Sequence, residues 1–202
     1  MAIETNIWIY WLFCAIATIL VLWKRQVAYS LLSPALESPT KEQNKTLFLI
    51  LGWGFTALAS LIYILFTVKI QPGAYKLPDL ISFSVLNGVL EQFMFVFWFL
   101  IGCYLAQKKF PKHSIVIFIL GYLGYFLYSG AIHPLFWFQV LPEHEPFLSM
   151  AFILPFMSIF WMWLYWRYKA IVSIIAMHIA IDFVTVGHLH FPWFESWQLI
   201  QR

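Results

Sequence analysis

Residues Ile81–Ala106, ISFSVLNGVLEQFMFVFWFLIGCYLA, run for 26 positions with Glu91 as their only charged side chain. About 20 predominantly apolar residues suffice to cross a bilayer as a helix, so this stretch reads as a transmembrane span. It also carries a carboxylate near its middle. Burying an ionisable group in hydrocarbon costs kilocalories, and such groups are kept where they pair, line a wet cavity or do chemistry.

Working outward, five more segments have the same character: roughly Ile7–Trp23, Leu47–Val68, Ile115–Leu141, Phe147–Trp166 and Ile171–His188. The chain has 202 residues, 62% hydrophobic and 10% charged, far from the roughly 25% charged of a soluble domain. These numbers predict an all-α, polytopic membrane helix bundle of about six transmembrane helices in a single domain, because little chain is left outside the spans. Between the first two spans lies the longest loop, with a short surface helix expected over Gln26–Leu36 and a polar, flexible connector over Glu37–Lys45. Cys14 and Cys103 lie inside apolar segments without metal-ligand spacing and read as packing residues. The N-terminus has Glu4 but no Lys or Arg before its first apolar run, which argues for a retained helix over a cleaved signal.

Nine of the 12 basic residues fall in loops one, three and five: Lys24, Arg25, Lys41, Lys45, Lys108, Lys109, Lys112, Arg167 and Lys169. The positive-inside rule therefore puts those loops in the cytoplasm and both termini on the non-cytoplasmic side. The net charge of +3 is modest and sits at span ends, so nucleic acid is not an expected partner; the lipid bilayer is. Trp193, Phe194 and Trp197 in the tail His190–Arg202 suit an aromatic belt.

Four ionisable residues lie within the spans: Glu91, His133, His178 and Asp182. With about 1.5 Å of rise per residue they sit at depths of about 15, 12, 15 and 9 Å from the outer surface, so three helices can bring them into one layer. His178 and Asp182 are four apart and share a helix face, continued by Thr185. Ser84, Asn87 and Glu91 form a second polar stripe. Pro134 removes the donor for the Gly130 carbonyl and disfavours helical geometry at His133. The remaining histidines, His113, His144, His188 and His190, fall in loops or at interfaces and read as surface residues. The His144-Glu145 pair lacks the helical HExxH pattern of zinc proteases.

These residues resemble the CAAX protease and bacteriocin-processing family (CPBP/Abi) of intramembrane glutamic proteases, with its Glu-Glu-x-x-x-Arg, Phe-x-x-x-His and His-x-x-x-Asn/Asp motifs on successive helices. The third motif matches at His178 and Asp182. The first matches at Glu91, with Gln92 in place of the second Glu and Val96 in place of Arg; the second matches at His133, with Ser129 in place of Phe. The resemblance covers about residues 81–188. It implies metal-independent hydrolysis of a membrane-associated peptide or protein, in which Glu91 and His133 activate water while His178 and Asp182 stabilise the oxyanion, and no cofactor. Two other classes stay open: a proteolytically inactive family member acting as a membrane-protein scaffold or assembly factor, and a haem, pigment or metal-binding protein drawing on the intramembrane imidazoles and carboxylates. Oligomeric state is not legible.

Overall fold

The computed structural model describes residues 5–32, 41–66, 76–140 and 153–190. Among these, every regular element is helical: α1 (Thr5–Trp23), α2 (Arg25–Leu32), α3 (Lys41–Phe66), α4 (Leu77–Lys109), α5 (Ser114–Ile132), a π-helical turn (His133–Trp137), α6 (Phe138–Val140), α7 (Ile153–Tyr168) and α8 (Ile171–His190). Five stretches are long and apolar enough to cross a membrane: α1, residues 44–66 of α3, α4, α5 with its π-helical turn, and residues 171–188 of α8. The remaining expected span is helical over the 16 described residues of α7, and its first part, 147–152, lies outside the described residues, as does the aromatic tail from 191. The outward side chains of α1, among them Leu12, Phe13, Ile16 and Ile19, are exposed and apolar, the arrangement a lipid solvent favours. This is an integral membrane helix bundle.

At the centre stands α4. With 33 residues it is about 50 Å long, and it packs against α1, α5 and α8, while α3 packs against α7 and α8. Leu77-Pro78 opens α4, with proline in the first turn, where its missing N–H costs nothing. Lys108 and Lys109 close it, next to the negative end of the helix dipole. The turn from α7 to α8 takes two residues. Lys169 adopts a left-handed conformation (φ 53°) and its N–H bonds the Tyr165 carbonyl at 2.8 Å, a C-terminal motif that stops α7 and sends the chain straight back as α8.

Glycine sets two of the helix spacings. A Cβ on Gly88 would lie 2.8 Å from the Ile179 amide nitrogen, so α4 and α8 meet backbone to backbone beside Glu91. A Cβ on Gly102 would run into the Leu120 carbonyl and Gly121, with the same effect between α4 and α5. Close backbone approach at small residues is how helices associate in lipid, where burial of apolar surface gives no net drive.

Three expectations are corrected. Residues 41–45, expected in a flexible connector, open α3; Lys, Glu and Gln are good helix formers and extend a helix already nucleated by the apolar run behind them. His133 keeps right-handed helical geometry (φ −63°, ψ −57°) despite Pro134, because the ladder changes register through the π-helical turn at His133–Trp137 instead of breaking. His188 is fully buried, edge-on to Tyr63 of α3, where sequence position near the span end suggested the surface. The short helix α2 forms over Arg25–Leu32, starting one residue before the expected range, of which 33–36 lie outside the described residues, and buries Ala28, Leu31 and Leu32; Cys14 and Cys103 are buried free thiols.

The Gly88 contact predicts a contrast. Gly88→Ala forces α4 and α8 apart and should lower stability by about 1–3 kcal/mol in detergent unfolding. Gly54→Ala, where nothing lies within 4 Å of the added carbon, should leave stability unchanged or raise it by up to about 1 kcal/mol.

Candidate functional site

Glu91, on the face of α4 turned to α1 and α8, is 3% exposed. Its carboxylate is met from four sides. Tyr10 Oη of α1 donates to Oε1 at 2.6 Å, and Trp137 Nε1, aimed inward by the π-helical turn, donates to the same oxygen at 2.8 Å. Asn87 Nδ2 donates to Oε2 at 2.9 Å, and His178 Nε2 of α8 stands 3.5 Å from Oε2. Hydrogen bonds to an ionised acceptor are worth roughly twice neutral ones, and a buried carboxylate needs them, since one without partners is strongly destabilising.

Asn87 is the hinge of the cluster. Its amide also donates to Asp182 Oδ2 at 2.9 Å, so its two N–H groups serve the two carboxylates, while its oxygen accepts the Trp11 indole at 2.9 Å. Asp182 Oδ1 lies 3.7 Å from His178 Nε2. On the far side of the imidazole, Nδ1 is 3.0 Å from Gln92 Oε1. An amide oxygen only accepts, so Nδ1 donates, and Nε2 faces the two carboxylates. Phe95 covers one face of that ring in parallel, with centroids 5.7 Å apart, and Trp161 stands 5.6 Å away. Trp161 is in turn fixed by donating its indole N–H to Thr56 of α3.

The fourth residue is held differently. His133 Nδ1 is 2.7 Å from its own helix's Ser129 carbonyl, an acceptor, so Nδ1 donates. His133, Glu91, His178 and Asp182 all line one cavity of about 260 Å³, walled mainly by aromatic and aliphatic side chains. Asn87 therefore bridges Glu91 and Asp182, His178 approaches both, and His133 shares their cavity. Of the two stripes, Asn87 joins the network, whereas Ser84 and Thr185 bond carbonyls of their own helices.

Sequence reasoning missed Tyr10, Trp11, Trp137 and the contact made by Gln92. The two aromatics of α1 lie near its start, where belt residues are expected. Gln92 was read only as an absent glutamate. Among the described residues no group of three or more His, Cys, Asp or Glu side chains is arranged to hold a metal ion. No protein-family model matches this chain, and comparison with curated proteins and with solved structures gives no match.

Replacing Asn87 by Leu leaves both carboxylates and the Trp11 indole short of a partner. We expect a loss of about 2–5 kcal/mol in detergent unfolding, against less than about 1 kcal/mol for Ser84→Ala, which breaks only a local bond within α4.

Proposed function

We propose that the protein is an intramembrane peptidase of the glutamic type, similar to the CPBP/Abi family, that hydrolyses a membrane-associated peptide or protein, with both termini on the non-cytoplasmic side. The single observation that carries this reading is that Glu91, His133, His178 and Asp182 all line one cavity. In this reading His133 takes the proton of a water whose oxygen attacks the peptide carbonyl, and Glu91 stabilises the imidazolium that forms. His178, held by Gln92 and Asp182, donates to the developing oxyanion. The proton on His133 then passes to the leaving amine as the C–N bond breaks, which restores the site.

A second reading has its own support. Every oxygen of Glu91 already has two donors near it, an arrangement that holds helices together well and leaves little of the carboxylate for water. That favours a proteolytically inactive relative whose cluster is structural and whose role is to scaffold or assemble other membrane proteins.

One experiment separates them. In a cleavage assay with membrane peptides, Glu91→Gln and His133→Ala should each lower turnover by about 10²–10⁴-fold with the bundle still folded. Undiminished turnover in Glu91→Gln rules out the hydrolytic mechanism. Absence of cleavage by the wild type, with cellular function retained by His133→Ala, establishes the scaffold.

A further inference from the structure

The walls of the cavity do not balance in charge. Among the described residues, two carboxylates, Glu91 and Asp182, face it with two histidines and no lysine or arginine. His178 supplies one positive charge at most. His133 is the neutral base in the hydrolytic reading, on which this inference rests. With both carboxylates ionised and His178 protonated, one negative charge is left over, and the hydrogen bonds place it at Asp182. Glu91 has four donors around it, whereas Asp182 has the Asn87 amide on Oδ2 and only the 3.7 Å approach of His178, already shared with Glu91, on Oδ1. The Asp182 side chain is also the more open of the two, 15% exposed against 4% for Glu91.

The rest of the lining suits a cation. Tyr63, Phe83, Phe95, Tyr125 and Trp161 turn aromatic surface to the space, and aromatic faces attract ammonium groups, the more so out of water. The cavity also reaches the outside of the bundle. Phe126, Gly130 and Pro134, four residues apart along α5 and the π-helical turn, line it and are exposed, and a Cβ built on Gly130 meets nothing within 4 Å. In a membrane bundle that exposed stripe faces lipid.

We infer that the cavity takes the protonated amine of an otherwise apolar ligand, which reaches it from the bilayer beside Gly130 and pairs with Asp182. The same chemistry is offered by a lysine side chain in a membrane-embedded peptide and by a free amphiphilic amine. For the peptidase this makes a lysine near the scissile bond the feature selected.

Binding is tested without turnover, so that a silent protease and a wrong ligand class give different results. The full chain in non-ionic detergent is heated with hexylamine or with hexanol, and separately with an apolar peptide carrying a central lysine or norleucine. Stabilisation by hexylamine and not by hexanol is expected, with affinity lowered at least about tenfold by Asp182→Asn. It should also be lowered in Gly130→Leu, which fills the exposed edge and leaves the polar network untouched. A preference for the lysine peptide over both its norleucine twin and hexylamine identifies a peptide source; equal response to peptide and hexylamine identifies a free amine. Equal stabilisation by amine and alcohol, amine binding indifferent to both substitutions, or no binding of either amine overturns the proposal and assigns the extra charge to a bound proton.

Discussion

A carboxylate buried inside a membrane bundle has to be met by donors, and the position of nearly every helix around Glu91 can be understood as supplying one. Tyr10 comes from α1, Trp137 from the π-helical turn, His178 from α8 and Asn87 from one turn earlier on α4 itself. Leaving a buried charge without partners costs on the order of 3–5 kcal/mol, comparable with the whole stability of many small proteins. The cluster therefore acts as a fastening between segments far apart in sequence. It also fixes the cavity, because the same side chains form its polar edge.

Backbone geometry makes those reaches possible. Without the near contact at Gly88, the side chains of α8 would stand too far from Asn87 and Glu91 for the bonds observed. Without Pro134 and the change of register it forces, Trp137 would occupy a different angular position on its helix and its indole would not be aimed at Oε1. A proline that looks like an ordinary membrane-helix kink thus has a defined consequence at the Glu91 carboxylate. π-Helical turns are often found where side chains must be re-aimed at a site.

Much of the architecture was legible in the sequence because the physics that sets it is coarse. Apolar runs of sufficient length mark the spans, and the i, i+4 spacing of His178 and Asp182 marks a shared face. Matching depth brought Glu91 and His133 to the same layer. What was not legible depends on rotation and partner choice. Tyr10 and Trp11 sit where interfacial aromatics are common, and only the packing of α1 against α4 turns them inward. His188 lies at the end of a span yet is covered by α3. Gln92 gave a sequence signal only as a missing charge, whereas its amide oxygen fixes the His178 ring.

The central claim is that α1 is tied to the site through Glu91, a contact that no spacing rule foretells. A double-mutant cycle with Tyr10→Phe and Glu91→Gln, followed by unfolding of the detergent-solubilised protein, tests it most directly. The account predicts a coupling free energy of about 1 kcal/mol or more, at the upper end for membrane hydrogen bonds because the acceptor is charged. Effects that add within about 0.5 kcal/mol would mean that the two side chains do not interact, and would contradict it.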